Sequence, residues 1–245
     1  MSSYTDFARL YDMLMLDIPY DQYVAKILSA TDDPRGKVLL DIGCGTGVLT
    51  EKLARQGFIV KGLDVSEDML AVAEQRFQKS KIHVPLFCMS MTDLTGIEDL
   101  DVALISIDSL NYLQSEEDVK ETFAGVYASL KNGGHFFFDV HSLYKMDEIF
   151  MQGPFTFEDE SLAYIWHTEK GDHPHSVYHD LTFFVQNDLG LYERFEESHF
   201  QQSFDEQQYT EWLVELGFKN IQVTADWTSE SPSSTSERLF FQATK

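Results

Sequence analysis

The chain has 245 residues, 43% of them hydrophobic, with 18 Lys and Arg against 41 Asp and Glu and a formal net charge of −23. That is enough apolar side chain for one sizeable α/β domain with room for an inserted subdomain, while no stretch approaches the ~20 apolar residues of a membrane-spanning helix. So acidic a surface, with no cluster of Lys or Arg anywhere, repels a polyanion and argues against nucleic-acid partners in favour of a small molecule or a protein. In chain order, residues 1–36 read as one or two helices, with Phe7, Leu10, Tyr11 and Leu14 at helical spacing and Pro19 breaking the pattern. Apolar runs then predict strands near 38–42, 58–63, 82–87, 102–107 and 135–140, with a helix over Val48–Gln56. A further helix starts at the cap Ser115 and its acidic first turn. Alternating strand and helix predicts a parallel sheet with right-handed crossovers.

From Pro154 to Phe204 the helical period vanishes. Strand-like runs at Tyr164–His167, Ser176–Val185 and Leu191–Phe200 alternate with turns at Gly171 and Asn187–Gly190, which predicts an antiparallel insertion after strand five. The sheet resumes with a helix near Asp205–Leu216 stopped by Gly217, a strand over Phe218–Thr224 and a last strand over Arg238–Ala243. Three segments follow: N-terminal helices and core over 1–150, an insertion over 151–204, and the rest of the core sheet over 205–245. The start of the chain, Met1 to Asp6, lacks the basic-then-apolar order of a signal peptide. Cys44 and Cys88, expected in an interior loop and strand, suggest a reducing compartment, so the cytoplasm is the expected location.

Residues 38–47, Val-Leu-Leu-Asp-Ile-Gly-Cys-Gly-Thr-Gly, carry the most information. A buried-type strand that breaks into glycines before a helix brings backbone N–H groups against a ligand. A dinucleotide fingerprint would need a third glycine where Val48 stands, which counts against NAD. Asp64 ends the second strand, roughly 20 residues beyond the glycines, where a carboxylate can grip ribose hydroxyls. Ser66 is a candidate cap for the helix that follows.

With Asp41, Gly43, Gly45, Gly47 and Asp64 in place, the chain resembles the class I S-adenosylmethionine (SAM) methyltransferases, whose first motif is D-x-G-x-G-x-G. Over nearly its whole length it is similar to the YqeM-type group of Gram-positive bacteria, a group name that assigns no substrate. The resemblance implies a doubly wound, seven-stranded Rossmann-like α/β sheet whose last strand runs antiparallel between its neighbours, with the antiparallel β insertion added after strand five. It implies that the glycines let the backbone approach the methionyl part of SAM, that Asp41 helps to hold the ammonium, and that Asp64 accepts both ribose hydroxyls. Met69 would pack on the adenine, Asp93 would meet its amino group, and the segment from Asp108 to Tyr112 would lie beside the sulfonium. A helix cap or turn residue is the rival reading of Asp93. Tyr4 and Tyr11 would lie in the helix that folds over the cofactor, although Tyr11 also falls on the apolar stripe.

The loop Asp108-Ser109-Leu110-Asn111-Tyr112 lacks the Asn/Asp-Pro-Pro-aromatic sequence of enzymes that methylate exocyclic base amines, and no Cys stands there or after strand five for attack on a base carbon. Both absences favour a small-molecule acceptor with an N or O nucleophile. His141, after strand five, is the candidate general base, and Tyr11 a second catalytic candidate. His173, His175 and His179, with Asp172 and Asp180, sit on a predicted hairpin end without fixed geometry, and no metal is expected. The aromatic residues Tyr164, Trp166 and Tyr178 are expected to wall the acceptor pocket from the insertion; a dimer or other interaction surface is the alternative role. An rRNA or tRNA methyltransferase and a non-catalytic SAM-binding module stay open as other functions.

Overall fold

The computed structural model describes residues 18–187 and 189–245. The predicted helix of Phe7, Leu10 and Leu14, with Tyr4 and Tyr11, lies outside the described residues.

The elements run α1 (Tyr20–Ala30), β1 (Val38–Ile42), α2 (Val48–Arg55), β2 (Ile59–Asp64), α3 (Glu67–Ser80), β3 (Leu86–Cys88), β4 (Leu100–Ile105), α4 (Glu116–Ser129) and β5 (Leu130–His141). A four-stranded stretch follows, β6 (Phe155–Glu158), β7 (Leu162–Lys170), β8 (Ser176–Gln186) and β9 (Tyr192–Gln202), then α5 (Glu206–Leu216), β10 (Lys219–Ala225) and β11 (Arg238–Thr244). The main sheet has the order β10-β11-β5-β4-β1-β2-β3. Strands β1 to β5 pair in parallel, and β11 runs antiparallel between β10 and β5. Successive side chains of β5 leave opposite faces, as the strand period demands. Phe136 and Phe138 join Phe123, Tyr209, Trp212 and Phe241 under α4 and α5. Phe137 joins Tyr23, Ile27, Leu53 and Phe240 under α1 and α2. Both faces of the sheet are therefore covered, which is why its central strands are mostly apolar, with Asp41 and Asp139 as buried exceptions.

Local signals hold where the backbone requires them. Ser66 accepts from the Met69 N–H and Ser115 from the Asp118 N–H, and Gly217 ends α5 in the left-handed region at φ 100°. Three expectations shift. The third strand begins at Leu86 because Pro85 has no N–H for the ladder, although its carbonyl accepts from Gly62 at 2.9 Å. The fourth ends at Ile105, since Ile107 and Asp108 take φ of 56° and 50° and peel the chain off the sheet. Cys88 is exposed, at the end of an edge strand, and not interior.

The insertion forms its own antiparallel sheet, β6-β7-β8-β9. Alternation sorts its side chains: Leu162, Tyr164 and Trp166 on β7, Val177, His179 and Phe183 on β8, and Phe195, His199 and Gln201 on β9 share the inner, more buried face. Tyr178 belongs to the other face, 40% exposed with its hydroxyl on Asp172, so it walls no pocket. Its neighbour His179 takes the inward position, because a strand turns each successive residue over.

Candidate active site

The glycine loop lies between β1 and α2, at the carboxyl edge of the sheet, where open α/β sheets bind ligands. Gly43 and Gly47 hold φ of 74° and 79°, and a Cβ on them would lie 2.8 Å from Ser109 Cβ and 2.6 Å from Phe77 Cζ respectively. Those two glycines are needed for close packing against the next loop and α3. Gly45, at φ 53°, has nothing within 4 Å of the place a Cβ would take. Asp64 steadies this loop: its Oδ2 accepts from the Gly45 N–H at 2.8 Å and its Oδ1 from the Ser66 N–H at 2.9 Å. Burial raises its pKa against the backbone N–H groups of Ser66, Gly45 and Val65. Asp41 is 1% exposed; its Oδ2 accepts from the Thr50 hydroxyl at 2.6 Å, while Oδ1 has no hydrogen-bond partner among the described residues. Burial lifts its pKa from 3.8 to about 6.

Asp93 is exposed in the loop after β3, where its Oδ1 accepts from the Thr95 N–H at 3.1 Å. The turn that competed with a ligand role for this residue is formed. Met69, in the first turn of α3, packs with the apolar end of the insertion's inner face, Leu162, Tyr164, Phe183 and Phe195. That contact ties the insertion to the helix after β2.

The other half of the site is built on charge. Asp139, in the middle of the apolar run of β5, accepts from the N–H of Ile107 at 2.8 Å with Oδ1, and from the N–H of Asp108 with Oδ2 at 3.1 Å. It thereby holds the two left-handed residues that follow β4. The same Oδ2 takes the Tyr23 hydroxyl at 3.1 Å and the Arg238 guanidinium. Arg238, first residue of β11, reaches Asp108 Oδ1 with Nη2 at 2.7 Å. Asp108 Oδ2 accepts from Gln201 Nε2 at 2.9 Å and stands 3.4 Å from His141 Nε2. Burial disfavours an ionised Asp108, but His141 and Arg238 outweigh it and hold its carboxyl well below the usual carboxylate range. The resemblance implied Asp108 as a cofactor ligand; its two oxygens accept from Arg238 and Gln201 and stand beside His141.

His141 is 5% exposed, and burial lowers its pKa to about 4 in spite of Asp108. The imidazole is neutral at physiological pH, the state a proton acceptor needs. Its carbonyl accepts from Ser203 Oγ at 2.5 Å and its N–H donates to Asn111 Oδ1 at 2.9 Å. Asn111 Nδ2 in turn donates to the Gln202 carbonyl at 2.8 Å, and Tyr112 stands perpendicular to His199, 5.8 Å between ring centres. The polar end of the insertion's inner face therefore rests on the loop after β4 and on the end of β5.

Of the residues singled out from sequence, Asp41, Gly43, Gly45, Gly47 and Asp64 meet at the glycine loop, and Asp108 and His141 meet beside it. His173, His175 and His179 do not converge: His175 Nδ1 lies 2.6 Å from Asp147, and His179 Nδ1 accepts from Trp166 Nε1 at 3.1 Å. Among the described residues no group of three His, Cys, Asp or Glu is arranged to hold a metal ion, and no helix is long and apolar enough to cross a membrane. Sequence reasoning missed Asp139, Arg238 and Gln201, and gave Asn111 no role of its own within the loop expected beside the sulfonium. Asp139 left a signal, since an acid within Phe136–Val140 must be paired if it is buried. The other three carry no local mark.

The strand order, the glycine loop and the acid at the end of β2 define a SAM-dependent methyltransferase. Residues 39–134 match the methyltransferase domain family. A Geobacillus protein with a methyltransferase name is 46% identical over 99% of this chain and 100% of its own. YqeM of Bacillus subtilis, also named a methyltransferase, is 43% identical over 99% of this chain and 97% of its own. A SAM-dependent methyltransferase from Clostridium acetobutylicum superposes with a TM-score of 0.87 at 27% identity, covering 99% of each chain. DesVI of Streptomyces venezuelae, at TM-score 0.77 and 19% identity over 97% of this chain and 98% of its own, shares the fold. The chain belongs to the YqeM-like SAM-dependent methyltransferases.

Proposed function

We propose that this methyltransferase acts on an N or O nucleophile of a small molecule held between the glycine loop and the inner face of the insertion. One observation carries the reading: the insertion stands over the ends of β4 and β5, and the buried and half-buried residues of its inner face include no Lys or Arg. A polynucleotide acceptor needs cations where the strand is gripped; this face offers apolar, aromatic, imidazole and amide groups and the half-buried carboxylate of Glu197, which would repel a phosphate.

The residues at the glycine loop fit the cofactor. Asp41 Oδ1, buried without a partner among the described residues, suits its ammonium; the open side of Gly45 admits the methionyl part; the carboxylate of Asp64 keeps acceptor capacity for ribose hydroxyls beside its backbone bonds. Met69 and Asp93 stand at the mouth of β2 and β3, where the adenine would lie. The bound cofactor supplies a methyl group on a sulfonium, which is already a good leaving group. The chain's own part is then to align the nucleophile and exclude water, which the insertion and the loop after β4 do by closing over the sheet edge. Neutral His141 accepts the nucleophile's proton at a ring nitrogen. Tyr4 and Tyr11, outside the described residues, keep their proposed places over the cofactor, and Tyr11 its candidacy in catalysis.

The test is transfer of label from methyl-labelled SAM into the small-molecule and RNA fractions of a bacterial extract, run side by side. Label in the small-molecule fraction supports the reading, and label confined to RNA overturns it. Because the sugar N-methyltransferase KedS8 of Streptoalloteichus shares this fold, amino sugars are the first pure acceptors to try.

A further inference from the structure

Two buried ring nitrogens beside the proposed acceptor site make no hydrogen bond of good geometry among the described residues: His141 Nδ1, and His179 Nε2, whose ring has only a weaker polar contact with the Gln201 side chain. The rings belong to different sheets, His141 to the end of β5 and His179, 4% exposed, to the inner face of the insertion. Both border Phe150, nearly perpendicular to its ring, with centres 5.2 and 4.8 Å away.

Their partners identify what each nitrogen offers. The indole N–H of Trp166 can only donate, and it reaches His179 Nδ1 at 3.1 Å. That nitrogen therefore carries a lone pair, and the proton of the neutral ring is on Nε2. Asp108 Oδ2 lies 3.4 Å from His141 Nε2 and is an acceptor, so the proton of that ring is on Nε2 and the lone pair on Nδ1. Burial keeps both rings neutral, with pKa values lowered to about 4. The site thus presents a free acceptor at His141 and a donor at His179 that Gln201 leaves poorly satisfied, and a buried polar atom left unpaired costs about 1–3 kcal/mol.

We propose that His141 Nδ1 and His179 Nε2 form the acceptor subsite, which takes an uncharged hydroxyl: His141 receives its proton, His179 donates to one of its two lone pairs, and the other is left to attack the methyl carbon, whereas an amine would lose its single lone pair to His179. This deepens the small-molecule reading above and rests on it. Only a group that both donates and accepts satisfies the pair. A carboxylate or phosphate accepts at both ends, leaves His141 Nδ1 unmatched, and brings a second anion beside Asp108. An ammonium donates at both ends and leaves His179 unmatched. His179 acts as a specificity-determining residue, and His141 is where the proton goes.

The test uses the full chain, ¹⁵N-labelled at histidine and saturated with S-adenosylhomocysteine, titrated at neutral pH with ethylene glycol and separately with acetate. Long-range ¹H–¹⁵N spectra read the ring nitrogens. Ethylene glycol is expected to shift His141 Nδ1 and His179 Nε2 saturably, and acetate is expected to shift neither. His179→Phe is expected to weaken glycol about fivefold or more, the scale of one lost hydrogen bond, with S-adenosylhomocysteine affinity unchanged. His179→Gln retains an N–H donor, is expected to recover part of the loss, and gives the same reading if the phenylalanine variant does not fold. No response to glycol, an equal response to acetate, or full glycol affinity in both variants overturns the subsite. If S-adenosylhomocysteine fails to bind the wild-type chain, it is the cofactor assignment that falls; if it binds and glycol gives no shift, the subsite alone falls.

Discussion

The two halves of the site are held together by different physics. At the glycine loop the backbone itself is the device: three residues at positive φ, two of them with no room for a Cβ, and a carboxylate on backbone N–H groups. Across the sheet edge, the loop after β4 is held by buried charge: Asp139 and Arg238 clamp Ile107 and Asp108, and the insertion adds Gln201. A backbone device depends on a few residues close in sequence. A charge device draws its members from β5, β9 and β11, and each is costly to leave alone.

The comparison predicts where the protein breaks. The largest effect belongs to Arg238→Met, which leaves Asp108 and Asp139 buried without their shared cation; breaking a buried pair in this way costs about 3–5 kcal/mol. Urea unfolding measures it, and a loss under about 1 kcal/mol would show that this half of the site does not depend on the buried charge. Next is Gly47→Ala, which forces a side chain into the left-handed region and against Phe77. Backbone strain and overpacking together give about 2–4 kcal/mol, read in the same assay. Asp64→Ala is expected to remove about 2–3 kcal/mol of S-adenosylhomocysteine binding by calorimetry, the scale of charge-assisted hydrogen bonds. Unchanged affinity would sink the ribose assignment.

The smallest effect is a pH dependence. Asp41 titrates at about 6 when folded against 3.8 ordinarily. The folded state therefore binds more protons than the unfolded state across that interval, and Asp41's contribution to stability is full below pH 3.8 and is lost as pH rises through about 6. Ligand binding runs the other way, because a cationic ammonium requires the ionised carboxylate. S-adenosylhomocysteine affinity is expected to fall about tenfold from pH 7 to 5, following the ionised fraction. In Asp41→Asn the profile should be flat over that range, and a slope that survives the substitution assigns the titration to another group.

Much of this was legible beforehand, and particular residues show why. The run Val38–Gly47 carries its own fold information: apolar residues for a buried strand, glycines for positive φ, a helix start behind them. Ser66, Ser115 and Gly217 are local punctuation of the same kind. Where two local preferences competed, reading was less sure. Pro85 shortened the third strand, and Asp93 formed the turn its residue type favours. The choice between Tyr178 and His179 turned on strand register, because a shift of one residue exchanges the faces.

The sequence by itself determined the alternation of strands and helices, the glycine loop, the acid at the end of β2 and the existence of an antiparallel insertion, since each is encoded in residues within a few positions of one another. Only the tertiary structure decided that Asp108 is bound to Arg238, that Asp139 holds the loop after β4, and that His179 comes to Phe150 beside His141. Those partners are separated along the chain by tens to more than a hundred residues. Their pairing follows from burial, because a charge or ring nitrogen removed from water takes whichever partner the packed sheets bring to it.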